Sequence, residues 1–330
     1  MGAQLRVYRR RIRTVQSTKK ITKAMELIAA SRIVKAQSRM RNARPYAREL
    51  SRALEQLSGD TSLKHPMLTG VENPQRAGIL VITSDRGLAG GYNASALRTA
   101  NDTARRLEGE GKEVERYVIG RKGAAYFNFR NLKLAGVWTG FSEQPNFLDA
   151  RGATEAVVAA LNATSEGTVN SGGEDGAGED TGKPGIDELW VVYTRFVNSV
   201  TQTPTAVRVA PVKGMSGDDD SADSASDSDA NDDDDHANTM YEFEPEPAEL
   251  IAALLPRYIS SRIFSALLES AASESAARRR AMKSASDNAT DLIKTYTRLA
   301  NQARQAEITQ EISEIVGGAD ALAAAGSDER

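Results

Sequence analysis

AQLRVYRRRIRTVQSTKKITKAMELIAASRIVKAQSRMRNARPYARELSRALEQL, residues 3–57, is the stretch from which the fold is read. Stepping alternately by three and four residues reaches Leu5, Tyr8, Ile12, Val15, Lys19, Thr22, Glu26, Ala29, Ile33, Ala36, Met40, Ala43, Ala47, Leu50, Leu54 and Leu57. Thirteen of these sixteen positions are apolar, so one register is held long enough to mark a coiled-coil seam and not only an amphipathic face. At about 1.5 Å per residue the helix would be roughly 80 Å long. Pro45 removes an amide donor and crowds the preceding turn, which predicts a kink near Arg44. At Lys19, Thr22 and Glu26 the seam turns polar, while Ile21, Met25 and Ile28 place an apolar ridge on another side. Such a ridge is either a contact for a different protein or a local loosening of the pair.

The other end of the chain mirrors this pattern. Residues 248–316 contain no glycine, and Met282, Ala285, Ala289, Leu292, Tyr296, Leu299, Ala303 and Ala306 keep the same rhythm before the stripe shifts to Ile308, Ile312 and Ile315. Pro256 is expected to bend or delay the entry to this helix, and Gly317-Gly318 to end it. Two long helices at opposite ends of one chain meet either as an intramolecular antiparallel pair or in an oligomer.

Between them the sequence alternates strands and helices. Strands are expected at 77–83, 114–119, 132–138, 188–197 and 203–212, the last two as a hairpin, with helices at 94–107, 123–129 and 148–161. The alternation argues for a mainly parallel sheet covered on both faces. The fold class is therefore α/β, a long antiparallel coiled coil of the terminal helices plus a central Rossmann-like domain. The boundaries are 1–57 for the first helix, 77–213 for the domain with an insertion at 165–185, 214–247 for an acidic insertion and linker, 248–318 for the second helix and 319–330 for a tail. Residues 165–185 and 214–239 are of low complexity and too polar to order themselves by burial, so they read as surface insertions.

Charge is distributed unevenly over these parts. The net charge is −3, yet residues 1–57 carry fifteen Lys/Arg against three Glu, and residues 214–247 carry ten Asp and three Glu with no cation. A basic helix can lie on nucleic-acid phosphates, but a basic zipper separates its basic region from its heptads, whereas here the two are interleaved. No nucleic-acid partner is therefore expected. The absence of cysteine excludes disulfides, thiolate nucleophiles and Cys-based zinc sites and suits a reducing compartment. No run of about 18 apolar residues is present to span a membrane, and the basic N-terminus lacks the apolar core of a secretory signal.

Candidate chemistry is sparse. Ser84-Asp85-Arg86-Gly87-Leu88-Ala89-Gly90-Gly91-Tyr92-Asn93 joins a strand to a helix, where free amides can cradle a phosphate. The Lys and Ser/Thr of a P-loop are replaced by Tyr92 and Asn93, and the dinucleotide spacing is absent, so a structural turn is favoured over an anion site. Asp85 and Arg86 are expected to bond the turn amides. His65 lies beside Pro66, and His236 follows Asp232–Asp235; neither stands near a nucleophile in a known motif. No catalytic, cofactor or metal site is expected.

Four strings add a resemblance. ITKAMELIAAS (residues 21–31), TSDRGLAGGYN (83–93) and ARQAEITQEISEIVGGA (303–319), together with AMKSASDNA (281–289), resemble the γ-subunit family of bacterial F-type ATP synthases. The insertion at 165–185 resembles the extra loop of its actinobacterial members. The resemblance implies a non-catalytic central-stalk subunit that turns inside a ring of α and β subunits and rests on the ε subunit and the membrane c-ring. Proton flow through the c-ring would thereby be coupled to ATP synthesis on β, at the cytoplasmic face of the plasma membrane. It also implies that Met25, Arg278, Arg304, Gln305, Thr309, Glu311 and Ile312 touch the surrounding ring. Rival readings are an α/β enzyme that oligomerises through its helices and a nucleic-acid-binding helix.

Overall fold

The computed structural model describes residues 2–58, 66–163, 185–212 and 246–327. Both insertions outside Gly185, as well as His65 and His236, lie outside the described residues. The chain divides into two compact units, one made of Met1–Ala30 with Arg278–Arg330 and the other of Ser31–Ala277.

The first unit holds the N-terminal part of helix α1 (Gly2–Ser58) and the C-terminal part of helix α6 (Pro247–Ser327). The two pack antiparallel, with the rings of Tyr8 and Tyr296 6.5 Å apart and the Arg11 guanidinium 5.7 Å from the Tyr296 ring centre. On α1 every seam position from Leu5 to Ala29 is buried or half-buried. The register survives the polar stretch because the polar groups are satisfied locally. The Thr22 hydroxyl donates to the Lys19 carbonyl at 3.1 Å, and the Glu26 carboxylate takes the Lys23 ammonium at 3.0 Å.

On α6 the expected register holds at six of its eight positions: Met282, Ala285, Ala289, Tyr296, Leu299 and Ala303 are buried or half-buried, whereas Leu292 is 46% exposed and Ala306 is exposed. Ser286, Ile293, Ala300 and Glu307 are inward beside them. The small Ser286 and Ala300 face the partner helix and allow close approach, and the adjacent apolar pair Leu292-Ile293 gives the sequence no means of choosing. One helix end also differs, and neither proline ends its helix. Helix α1 is unbroken through Pro45 and α6 through Pro256. A helix-interior proline costs about 3 kcal/mol relative to alanine. The neighbouring Leu50 and Leu54 on α1 and Leu255 and Ile259 on α6 are fixed in the core and offset it. Gly317-Gly318 does not stop α6, which continues to Ser327. Each glycine costs about 1 kcal/mol in a helix, and the alanine-rich run that follows is among the best helix formers.

The second unit is built on a five-stranded sheet. Its strands are β1 (Arg76–Ile82), β2 (Glu113–Ile119), β3 (Gly136–Trp138), β4 (Glu188–Phe196) and β5 (Gln202–Ala210) in the order β3-β2-β1-β4-β5. The first four neighbours run parallel, and β4–β5 is the antiparallel hairpin. The helices are α2 (Pro66–Thr69), α3 (Tyr92–Gly109), α4 (Arg121–Phe129) and α5 (Phe147–Asn162).

Alternation along the strands divides the core. Ala77, Ile79 and Val81 of β1, with Val118 and Val192, pack under Leu97, Ala100, Ala104 and Leu107 of α3 and Phe127 of α4. Leu80 and Ile82, with Tyr117, Ile119, Leu189 and Val191, pack under α5 and under Leu50, Leu54 and Leu57 of α1 and Ile251, Leu255, Ile259, Ile263 and Leu267 of α6. One stretch of α6 is long and apolar enough by composition to cross a membrane, but these five side chains are buried in this core. A strand covered on both faces carries a continuous apolar run, which is how β1 reads. The edge strand β3 is shorter than the expected 132–138, because Leu132 and Leu134 pack against the core from outside the ladder. Helix α2 has no sequence signal beyond Pro66 at its start, yet it buries Met67 and Leu68 completely.

Two outcomes test this core. Leu54→Ala is expected to destabilise the chain by about 2–5 kcal/mol in chemical denaturation, the range for a buried leucine that leaves a cavity. Burial, reinforced by the Glu115 carboxylate, pushes the Tyr117 phenol up to about 12. The unfolded phenol loses its proton near pH 10, so stability is fully present below about pH 10 and falls as pH rises towards 12. Tyr117→Phe removes this contribution. Denaturation curves of the two proteins should therefore converge or cross by up to roughly 2–3 kcal/mol between about pH 9 and pH 11.5, and a constant offset would refute the assignment.

Candidate functional site

The carboxyl ends of β1, β2 and β3 bring three loops together, the position where open α/β sheets bind ligands. The chain fills that position with its own side chain. The carboxylate of Asp85, 5% exposed, accepts the backbone N–H groups of Arg121 at 3.1 Å, Gly140 at 2.8 Å and Ser142 at 3.0 Å. In return the Asp85 amide donates to the Ser142 hydroxyl at 2.8 Å. An internal anion thus occupies the amides that would otherwise hold a phosphate. Asp85 was expected to bond its own turn; it bonds the two neighbouring loops instead. A carboxylate accepting several backbone donors is a strong tie because each bond is charge-assisted.

The turn itself is closed by Asn93. Its side-chain oxygen accepts the Ser84 amide at 2.9 Å, and the Ser84 hydroxyl donates to the Arg86 carbonyl at 2.6 Å. Glycine is required nearby: a Cβ on Gly120, whose φ is +102°, would lie 2.2 Å from the Thr83 carbonyl oxygen. At the tip, Leu88 has φ +63° and is 61% exposed, an unfavourable backbone for a leucine. Arg86 reaches outward and lies 3.8 Å from Glu143.

A groove with a volume of about 760 Å³ lies between α3 and α4. Arg98, Arg105, Lys122, Tyr126 and Phe129 line it, together with small and amide side chains. Its walls carry no carboxylate or histidine, and the Tyr126 hydroxyl on them accepts the Asn101 side-chain amide at 2.9 Å. Among the described residues no group of His, Asp or Glu could hold a metal ion.

The residues expected at an interface belong to the helices. Met25 on α1 is half-buried. On α6, Arg304, Gln305, Thr309, Glu311 and Ile312 are exposed, and at about 100° per residue they fall on one broad face with Ile308, Ile315 and Val316. The Thr309 hydroxyl donates to the Gln305 carbonyl at 2.9 Å. Arg278 stands apart, for it is only 5% exposed within the chain. Of the apolar ridge expected on α1, Ile21 and Ile28 are more than half exposed and Met25 is half-buried; Leu27, also exposed, lies on another side. The ridge lies on a different side from the seam, as the sequence suggested. Sequence reasoning missed Ser142 and Glu143, which meet the turn and α1 across the fold. The Arg32–Glu143 pair spans 111 positions, and no local pattern marks either residue.

Comparison with known proteins agrees with this arrangement. The family model described as ATP synthase matches residues 4–322. The ATP synthase gamma chain of Frankia casuarinae is 52% identical over 98% of this chain and 99% of its own length. That of Acidothermus cellulolyticus is 50% identical over 99% of this chain and 100% of its own. Among solved structures, a chain of the Euglena gracilis mitochondrial ATP synthase (OSCP/F1/c-ring) superposes with a TM-score of 0.60 over 98% of this chain and 95% of its own, at 16% identity, and so shares the fold. A chain of the Tetrahymena thermophila mitochondrial ATP synthase central stalk and c-ring superposes with a TM-score of 0.53 at 22% identity, covering 81% of this chain and 99% of its own. The helix pair, the sheet with its self-filled carboxyl end and the full-length likeness together place the chain in the ATP synthase gamma chain family, as a non-catalytic subunit of the central stalk.

Proposed function

We propose that this chain is the rotating shaft that couples proton flow through the membrane c-ring to ATP synthesis on β subunits, at the cytoplasmic face of the plasma membrane. Its partners are the α and β subunits around the helix pair and the ε subunit and c-ring against the α/β domain. The observation that carries this reading is the distribution of apolar surface in the helix unit. Ile21, Leu27 and Ile28 on α1 are exposed outside the seam, and Ile308, Ile312, Ile315 and Val316 are exposed where α6 is open on every side from residue 308 to 319. Exposed apolar groups grouped in this way mark a protein contact. A smooth apolar contact suits rotation, because the hydrophobic effect is non-directional and leaves few specific bonds to break at each step.

Arg304, Gln305, Thr309 and Glu311 supply polar contacts to the ring beside Ile312, and Met25 adds an apolar one from α1. Arg278, 5% exposed within the chain, touches the ring by its edge.

Reconstitution with cognate α and β subunits tests the reading. An active particle should form only when this chain is present; equal assembly and ATP hydrolysis without it would overturn the proposal. Arg304→Ala, at an exposed position, should leave the melting temperature unchanged. It should lower ATP-driven turnover of the reconstituted particle by roughly tenfold, the equivalent of one charge-assisted hydrogen bond of about 1.5 kcal/mol.

A further inference from the structure

We infer that Glu143 is a positioning residue for torque transfer, an ionic clamp that fixes α1 to the loops at the carboxyl end of the sheet. The inference rests on the rotor reading above and adds a specific joint to it.

The loop between β3 and α5 is held on one side by Asp85. The Gly140 and Ser142 amides donate to its carboxylate, and Ser142 is 3% exposed. Glu143 follows directly and points the other way. Its carboxylate, 14% exposed, pairs with Arg32 of α1, itself 24% exposed, and lies 3.8 Å from Arg86 of the glycine turn. A polar chain therefore runs without a break from α1 through Arg32, Glu143 and the loop backbone to Asp85 and the ends of β1 and β2. The space around the pair is bounded by Arg32, Lys35, Ala36 and Arg39 of α1, by Gln144 and Pro145, and by Leu268 and Ala271 of α6. It leaves a volume of about 10 Å³, room for one water at most. This is a packed joint and not a ligand site.

The two helices are tied to the domain by different means. Helix α6 is bonded to β4. The Ser273 hydroxyl donates to the Thr194 carbonyl at 2.9 Å, the Thr194 amide donates to the Ser270 hydroxyl at 3.3 Å, and the Phe196 amide donates to Glu269 at 3.2 Å. Those bonds resist sliding because each is directional. The apolar contacts of α1 at Leu50, Leu54 and Leu57 are non-directional and oppose separation more than shear. The Arg32–Glu143 pair gives α1 the directional restraint that the β4 bonds give α6, some six helical turns from Leu54 by sequence at about 3.6 residues per turn. A two-helix shaft carries torque through both members only if both are fixed against sliding.

The test uses the whole ATP synthase in inverted membrane vesicles, comparing wild type, Glu143→Gln, Glu143→Ala and the exchange Arg32→Glu with Glu143→Arg. ATP hydrolysis and ATP-driven proton pumping are measured together, with the amount of assembled complex quantified in each preparation. Loss of the clamp should lower the protons pumped per ATP hydrolysed by roughly two- to threefold in Glu143→Ala, with a smaller loss in Glu143→Gln. This is the scale of a modest coupling energy between contacting residues. The charge exchange should restore the ratio at least in part. A merely structural role would reduce assembly and both activities in proportion, and an unchanged ratio overturns the clamp. If the wild-type chain itself supports no pumping in a complex lacking its γ subunit, the rotor reading fails first, and that outcome is separate from any effect of Glu143.

Discussion

Thr22 and Glu26 are buried in the seam of the helix pair although neither is apolar, and this decides what the rest of α1 can do. Burial of a hydroxyl and a carboxylate is tolerable only because each is bonded within its own helix, Thr22 to the Lys19 carbonyl and Glu26 to Lys23. Once the 3–4 register passes through this polar stretch, Ile21, Leu27 and Ile28 are excluded from the seam and stay on the surface. Each exposed side chain forgoes about 25 cal/mol for every Å² it could have buried. A slip of one position would have hidden some of these side chains at the cost of breaking the pairing on both sides. The satisfied polar pairs thus convert a continuous seam into a helix with an apolar face left for another protein.

The same logic operates at the carboxyl end of the sheet, with opposite effect. There the fold presents amides that could receive a bound anion, and Asp85 takes them. A phosphate would have to displace a carboxylate held by three backbone donors and would meet its negative charge while doing so. Gly90 supplies the turn's positive φ of +57°, and close packing falls to Gly120, between β2 and α4, against the Thr83 carbonyl. A strand-turn-helix of this kind is common to nucleotide-binding and purely structural sites, and only the occupant of the amides separates the two.

This explains which features were legible in the sequence. β1 was read from an apolar run ending at a glycine turn, and α1 from a register that only a helix can keep, since both signals lie in neighbouring residues. The inward face of α6 was misread at Leu292 because Ile293 is equally apolar and the choice depends on the partner helix. Gly317-Gly318 was read as a stop because glycine at a helix end is common, whereas the alanines that carry α6 onward act only through the sum of their propensities. Ser142 and Glu143 were not found at all. Nothing in the run Gly140-Phe141-Ser142-Glu143 marks it, and its meaning arises when folding brings it beside Asp85 and Arg32. Likewise Arg278, just before the string at 281–289, owes its burial to packing that no string records.

The bonding along α6 gives the rotor reading a physical basis beyond likeness to relatives. Between residues 264 and 273 the helix is fixed by an edge-to-face contact of Phe264 with Phe147 at 5.6 Å and by the directional bonds of Glu269, Ser270 and Ser273 to β4. Between residues 304 and 316 its polar side chains bond along the same helix, Thr309 to the Gln305 carbonyl and Gln310 to Glu314, and its isoleucines face outward. A static structural helix would gain from specific bonds at both ends. An enzyme would concentrate polar groups where substrate binds. Directional bonds at one end of the helix, with self-satisfied polar groups and apolar surface at the other, are what a part needs when it must be gripped firmly at one place and slip with little resistance at another.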